Sequence, residues 1–116
     1  MESFLPLVEY LLPDFILSYF ELTRVEKLSG ALQVYLKEKN YEASDPAKRD
    51  LESKGFLPEI TIQDFPIRDK KVYLHIKRRR WLNTKTGKVV QRDWQEVAEG
   101  TRMTQEFSAF LKGIHR

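Results

Sequence analysis

The sequence predicts an α+β domain: an antiparallel sheet of about five strands, with short helices near both ends of the chain. Three observations carry that expectation. Apolar and polar residues alternate in three separate runs, which is the period of a half-buried strand. Turn chemistry punctuates those runs at Leu28-Ser29-Gly30, Arg68-Asp69-Lys70 and Asn83-Thr84-Lys85-Thr86-Gly87. Apolar residues recur at helical spacing only near the two ends. The 116 residues amount to a single domain, 1–116, with an acidic part over 1–54 and a basic part over 55–116.

The first element predicted is a helix over 3–12. Leu5, Val8, Leu11 and Leu12 share one face, and Ser3 stands at its start with Pro6 in the first turn. Pro13 breaks the pattern, and 14–19 allows one further turn. Phe20, Leu22 and Val25, then Leu32, Val34 and Leu36, predict a hairpin over 20–27 and 31–39. Residues 40–54 are polar, contain Pro46 and are expected to be a loop or a short irregular helix. Ile60 and Ile62 alternate with polar residues, so 59–65 is a strand. The clearest strand is 71–80, and 88–94 returns from the tight turn at 83–87. Thr104 is placed to cap a final helix, in which Phe107, Phe110, Leu111 and Ile114 fall at i, i+3, i+4 and i+7.

Composition narrows the function. Hydrophobic residues make up 41% and charged residues 32%, which is the balance of a chain that buries a core. There is no cysteine, which excludes a disulfide framework, a cysteine zinc site and a thiol nucleophile. That fits a reducing compartment, and a cytoplasmic location is expected. The N-terminus lacks the basic region and small-residue cleavage site of a secretory signal. No apolar run approaches 18 residues, so no membrane partner is expected. The net charge of +3 hides a strong asymmetry. Residues 1–66 carry 7 Lys/Arg against 12 Asp/Glu, a net −5, and residues 67–116 carry 13 against 5, a net +8. A basic half of this kind suits an anionic partner, with nucleic acid the first candidate and an acidic protein the second.

Strand 71–80 concentrates that charge. Val72, Leu74 and Ile76 should face the core, with Lys71, Tyr73, His75, Lys77 and Arg79 on the other side. Arg78, Arg79 and Arg80 form a cationic end, Lys88 and Arg92 lie on the returning strand, and Lys85 sits in the turn. The expected object is a two-stranded basic ribbon. Lysine and arginine position phosphates, arginine's fork also suits a guanine edge, and such a ribbon enters a major groove. The candidate DNA-binding residues are therefore Lys71, Tyr73, Lys77, Arg78, Arg79, Arg80, Lys85, Lys88 and Arg92.

Other signals point to structure. His75 and His115 are too far apart to suggest a metal site. Trp81 and Trp94 are expected to pack together across strands. Glu21, Glu26, Glu38 and Glu42 read as a solvated acidic face. No phosphate-cradling glycine loop, nucleophile elbow or acid/base constellation is present, so no catalytic residue, metal, cofactor or small-molecule substrate is expected.

The run Gln63-Asp64-Phe65-Pro66-Ile67, the segment Lys71-Val72-Tyr73-Leu74-His75-Ile76-Lys77-Arg78-Arg79-Arg80-Trp81, the turn at Asn83–Gly87 and Arg102-Met103-Thr104 together resemble a known family. It is the N-terminal zinc-ribbon region of bacterial insertion-sequence transposases, nearest to the ISL-three group in its split form. Leu11-Leu12-Pro13 and Tyr19-Phe20-Glu21-Leu22 extend the resemblance upstream. In the family a zinc knuckle follows the arginine-rich strand. Here Asn83 and Thr86 stand where knuckle cysteines would be, Gly87 keeps the turn glycine, and 43–46 holds no cysteine either. The resemblance therefore implies a degenerate ribbon without metal.

The resemblance further implies a transposition protein that does not cut DNA itself, with the catalytic carboxylates in a separately encoded chain. Its expected role in DNA recombination is recognition of the mobile element's terminal DNA, through the basic hairpin. The alternative is a protein-interaction module, in which Phe107, Phe110, Leu111 and Ile114 of the last helix dock on the catalytic transposase chain.

Overall fold

A computed structural model describes residue 12 and residues 14–42, 44–67, 69–94, 97 and 105–114. The fold is α+β. Helix α1 (Asp14–Tyr19) leads directly into β1 (Phe20–Leu28) and β2 (Ala31–Glu38). A single 3-10 turn at Pro46–Lys48 precedes β3 (Leu51–Phe56), β4 (Ile60–Ile67), β5 (Lys70–Lys77), β6 (Arg79–Asn83) and β7 (Val89–Gln91), and α2 (Gln105–Ile114) follows. The strands form two sheets, one of four in the order β1-β2-β5-β4 and one of three in the order β3-β6-β7.

Local chemistry explains the first hairpin. Leu28 pairs with Ala31, so Ser29 and Gly30 are its whole loop, and both have positive φ (54° and 74°). That is the two-residue turn whose twist matches a right-twisted ribbon. A bulge between Leu22 and Arg24 then shifts the register, which keeps Val25 pointing inward opposite Val34. On β5 the alternation is strict: Val72, Leu74 and Ile76 are buried, and the intervening residues are not. Asp69, at φ 65°, lies in the turn that joins β4 to β5.

One face of the four-stranded sheet carries the core. Val34, Leu36, Ile62, Val72, Leu74 and Ile76 pack beneath Ile16 of α1 and Phe110 and Ile114 of α2. Trp94 completes this layer, stacked on Phe20 with ring centroids 5.6 Å apart. The other face of the sheet is polar, with Gln33, Tyr35, Lys37, Tyr73, His75 and Lys77 half-buried or exposed. Trp81 is fully buried on β6, beside Tyr41 at 4.6 Å, and its indole N–H donates to Asn40 Oδ1 at 2.7 Å.

Several expectations are corrected. The described residues form seven strands in two sheets rather than one antiparallel sheet of about five, and the larger sheet is mixed because β2 and β5 run parallel. The basic ribbon does not form as a single hairpin. Residues 71–80 divide at Arg78 into β5 and β6, and only β6 pairs with the returning strand. That strand ends at Gln91, and Trp94 sits in the main core, not against Trp81. Residues 51–56, within and just past the expected loop, form β3, a half-exposed edge strand bulged at Gly55 with φ 87°. The expected helix over 3–12 lies outside the described residues apart from Leu12, which is buried, and so does Thr104. No helix among the described residues is long and apolar enough to cross a membrane.

Helix α2 lies so close to β4 that a Cβ on Gly113 would sit 2.8 Å from Ile62 Cδ1 and Cγ1. Alanine normally favours a helix over glycine by about 1 kcal/mol. Here it must displace a buried sheet side chain, which costs about 1–3 kcal/mol. Gly113→Ala is therefore expected to lower the thermal midpoint by several degrees, and a raised midpoint would contradict this close approach.

Candidate nucleic-acid interface

The eight cations selected from the sequence divide into two groups. Three are engaged within the fold. Arg92 is held by Glu38, whose Oε2 accepts from Arg92 Nε at 2.6 Å, and the two side chains are only 9% and 1% exposed. Arg92 also donates to the Lys39 carbonyl, and four rings surround its guanidinium: Tyr41 at 4.5 Å, Tyr19 at 5.1 Å, Trp81 at 5.6 Å and Trp94 at 5.8 Å. Arg79 lies over Phe56 and donates to the Glu38 carbonyl and the Ser53 hydroxyl, while its backbone N–H donates to Glu38 Oε1. Arg78 is half-buried and reaches the Ile114 carbonyl at 3.4 Å.

The other five, Lys71, Lys77, Arg80, Lys85 and Lys88, are exposed. Arg80 rests its Nε on the Lys54 carbonyl, and Lys85 faces Asp50 at 3.5 Å. Both contacts are at the surface and leave charge available to an anion. Lys85 and Lys88 are carried by the β6–β7 turn. There Asn83 Oδ1 accepts the backbone N–H groups of Lys85 and Thr86, and Thr86 Oγ1 accepts that of Lys88. Gly87, at φ 73°, donates to the Asn83 carbonyl and closes the turn. The two positions that resemble knuckle ligands thus place their side-chain oxygens on backbone donors. Among the described residues no cluster of three His, Cys, Asp or Glu could hold a metal.

Lys71, half-buried Tyr73, and Lys77 stand on the outer face of the four-stranded sheet. The register sets Arg24, Tyr35, His75 and Thr61 in one row across it, and Lys37 beside Lys77 in the next. Tyr35 and His75 stack at 4.6 Å and 15°, and the Arg24 guanidinium covers Tyr35 at 4.1 Å. Both imidazole nitrogens are bound. Gln33 Oε1 only accepts, so His75 Nε2 donates to it at 2.6 Å, and Nδ1 accepts from the Thr61 hydroxyl at 3.1 Å. A groove of about 630 Å³ runs beside this row, edged by Lys37, Lys77 and Glu59.

The sequence did not single out Glu38, Tyr35 or Arg24. Glu38 was expected on a solvated acidic face and is the most buried charged residue among those described. Its place at the end of an alternating strand, on the same parity as Val34 and Leu36, is the signal that points inward. The last helix was offered as a docking surface, but Phe110 and Ile114 are buried in the protein's own core and Leu111 packs against it; the Phe107 side chain lies outside the described residues. Comparison with family models, curated proteins and solved structures finds no match to this chain.

Burial raises the Glu38 carboxyl above its ordinary value of 4.5, against the opposing pull of Arg92 and the Arg79 N–H. The folded state therefore holds this proton more tightly than the unfolded chain. The stability this supplies is complete below about pH 4.5 and declines as pH rises through the raised value. Across a pH series of urea denaturations, the stability of wild type relative to Glu38→Gln should fall on going from pH 4 to pH 8. Glu38→Ala at pH 7 leaves Arg92 buried without its partner and is expected to cost about 3–5 kcal/mol. The double variant Glu38→Gln/Arg92→Met keeps an acceptor for the Arg79 N–H and buries no lone charge, so it should be clearly the milder of the two.

Proposed function

We propose that this protein is a non-catalytic DNA-binding accessory module of a split insertion-sequence transposase, acting with a separately encoded catalytic chain. The observation that carries the reading is the exposed set Lys71, Lys77, Arg80, Lys85 and Lys88, drawn from a half of the chain with net charge +8. Cations that stay in solvent on rigid strands and a tight turn are the groups that neutralise phosphates and release counterions. Three of the four candidate arginines, Arg78, Arg79 and Arg92, are engaged inside the fold, so phosphate contact outweighs base reading on this surface.

The word transposase comes from the sequence resemblance. In this reading the β6–β7 hairpin is the counterpart of the family's zinc-ribbon hairpin, with the side-chain oxygens of Asn83 and Thr86 in the ligand positions. The partners are the terminal DNA of the element and the catalytic chain.

Fluorescence anisotropy with a labelled duplex from the element's end, against a shuffled duplex, tests the proposal. Five phosphate contacts predict a loss of several hundred-fold in affinity, roughly, between 50 and 200 mM salt. Lys77→Gln and Lys88→Gln should each reduce the salt slope by about 1 without affecting folding. Absence of binding at 50 mM salt, or binding indifferent to salt, would overturn it.

A further inference from the structure

We infer that the groove on the outer face of the four-stranded sheet holds one unpaired nucleotide of a DNA strand, with its base on Tyr35 and its phosphate at Lys37 and Lys77. This rests on the DNA-binding reading above and names the form of DNA that the sheet face takes.

The two lysines are the first reason. Lys37 and Lys77 stand in register on neighbouring parallel strands, on the same face of the sheet. Neighbouring strands lie about 4.8 Å apart, and like charges so placed oppose folding. No ion pair among the described residues engages either one. An anion seated between them removes that repulsion. Arg24 adds a third cation to the groove and Glu59 its one carboxylate, so the described lining is left at +2.

The aromatic row is the second reason. Tyr35 and His75 are already stacked, and Gln33 and Thr61 fix the imidazole on both sides. The platform is therefore built and held before any ligand arrives. The Arg24 guanidinium lies over the Tyr35 ring, its side chain is 57% exposed, and its ion-pair partner, Glu26, lies on the same strand at 3.5 Å. A guanidinium in that position can lift and close over a base, leaving it between two planar groups, a mode common in single-strand recognition. Paired bases in a duplex are stacked inside the helix and cannot enter, whereas about 630 Å³ accommodates a single nucleotide.

The test uses the whole chain and a labelled 12-nucleotide DNA strand carrying 2-aminopurine, beside a blunt duplex and an RNA strand of the same sequence. The variants are Tyr35→Leu, Arg24→Ala and Lys37→Gln, none of which belongs to the exposed set assigned to duplex phosphates. Arg24 is exposed, so its variant keeps the test valid even where Tyr35→Leu perturbs folding, which circular dichroism reports. Expected are quenching of 2-aminopurine on binding, a roughly tenfold weaker single-strand complex for Tyr35→Leu and about threefold for Arg24→Ala and for Lys37→Gln, with duplex binding unchanged. Duplex binding that persists while the single strand binds no tighter than in these variants, or leaves 2-aminopurine unquenched, overturns the inference and leaves the DNA-binding reading intact. No binding to any DNA overturns both. RNA bound more tightly than DNA overturns the assignment of the strand.

Discussion

The fold turns on one carboxylate. Glu38 ends β2, and its two oxygens bind the backbone N–H of Arg79 and the Nε of Arg92. Arg79 is the first residue of β6, the middle strand of the three-stranded sheet, and Arg92 follows directly after β7, that sheet's last strand in the chain. A single buried group therefore joins the end of β2 to the start of β6 and to the segment that leaves β7. Desolvation penalises the ionised carboxylate, and the pair with Arg92 only partly offsets this. Its contribution is one of arrangement more than of strength: once the carboxylate is in place, β6 and the segment after β7 have one geometry that satisfies it.

That constraint decides which cations are available to a partner. Arg92 lies within a ring of four aromatics and Arg79 across Phe56, so the most conspicuous charges in the sequence are part of the joint. What remains outside is mainly lysine, carried at the β6–β7 turn and on the outer face of β5. A lysine surface of this kind suits contact with a charged backbone, since an ammonium is a compact point charge without arginine's planar fork.

The open sheet face has a different character. Its residues lie on paired strands of set register, so the aromatic row and the adjoining lysines hold their spacing without help from a ligand. The two faces of this sheet divide the work: helices and Trp94 close one, and the other presents charge and rings to solvent.

Whatever depends on near neighbours is legible in the order of the residues. The β1–β2 hairpin falls within a residue of its expected ends, because Ser29-Gly30 and the flanking alternation are local signals. The inward set Val72, Leu74 and Ile76 and the buried stripe of α2 were legible for the same reason. Contacts between distant segments set the rest. β3 carries no apolar alternation and becomes a strand only because β6 offers it hydrogen bonds. The parallel pairing of β2 with β5 joins residues about forty positions apart, which no local period encodes. The same holds for charge. A sequence shows how many arginines stand in a row, but whether each meets solvent or a buried carboxylate depends on where a distant strand ends. Here that strand ends at Glu38, and its position turned the expected basic ribbon into a joint with a lysine surface around it.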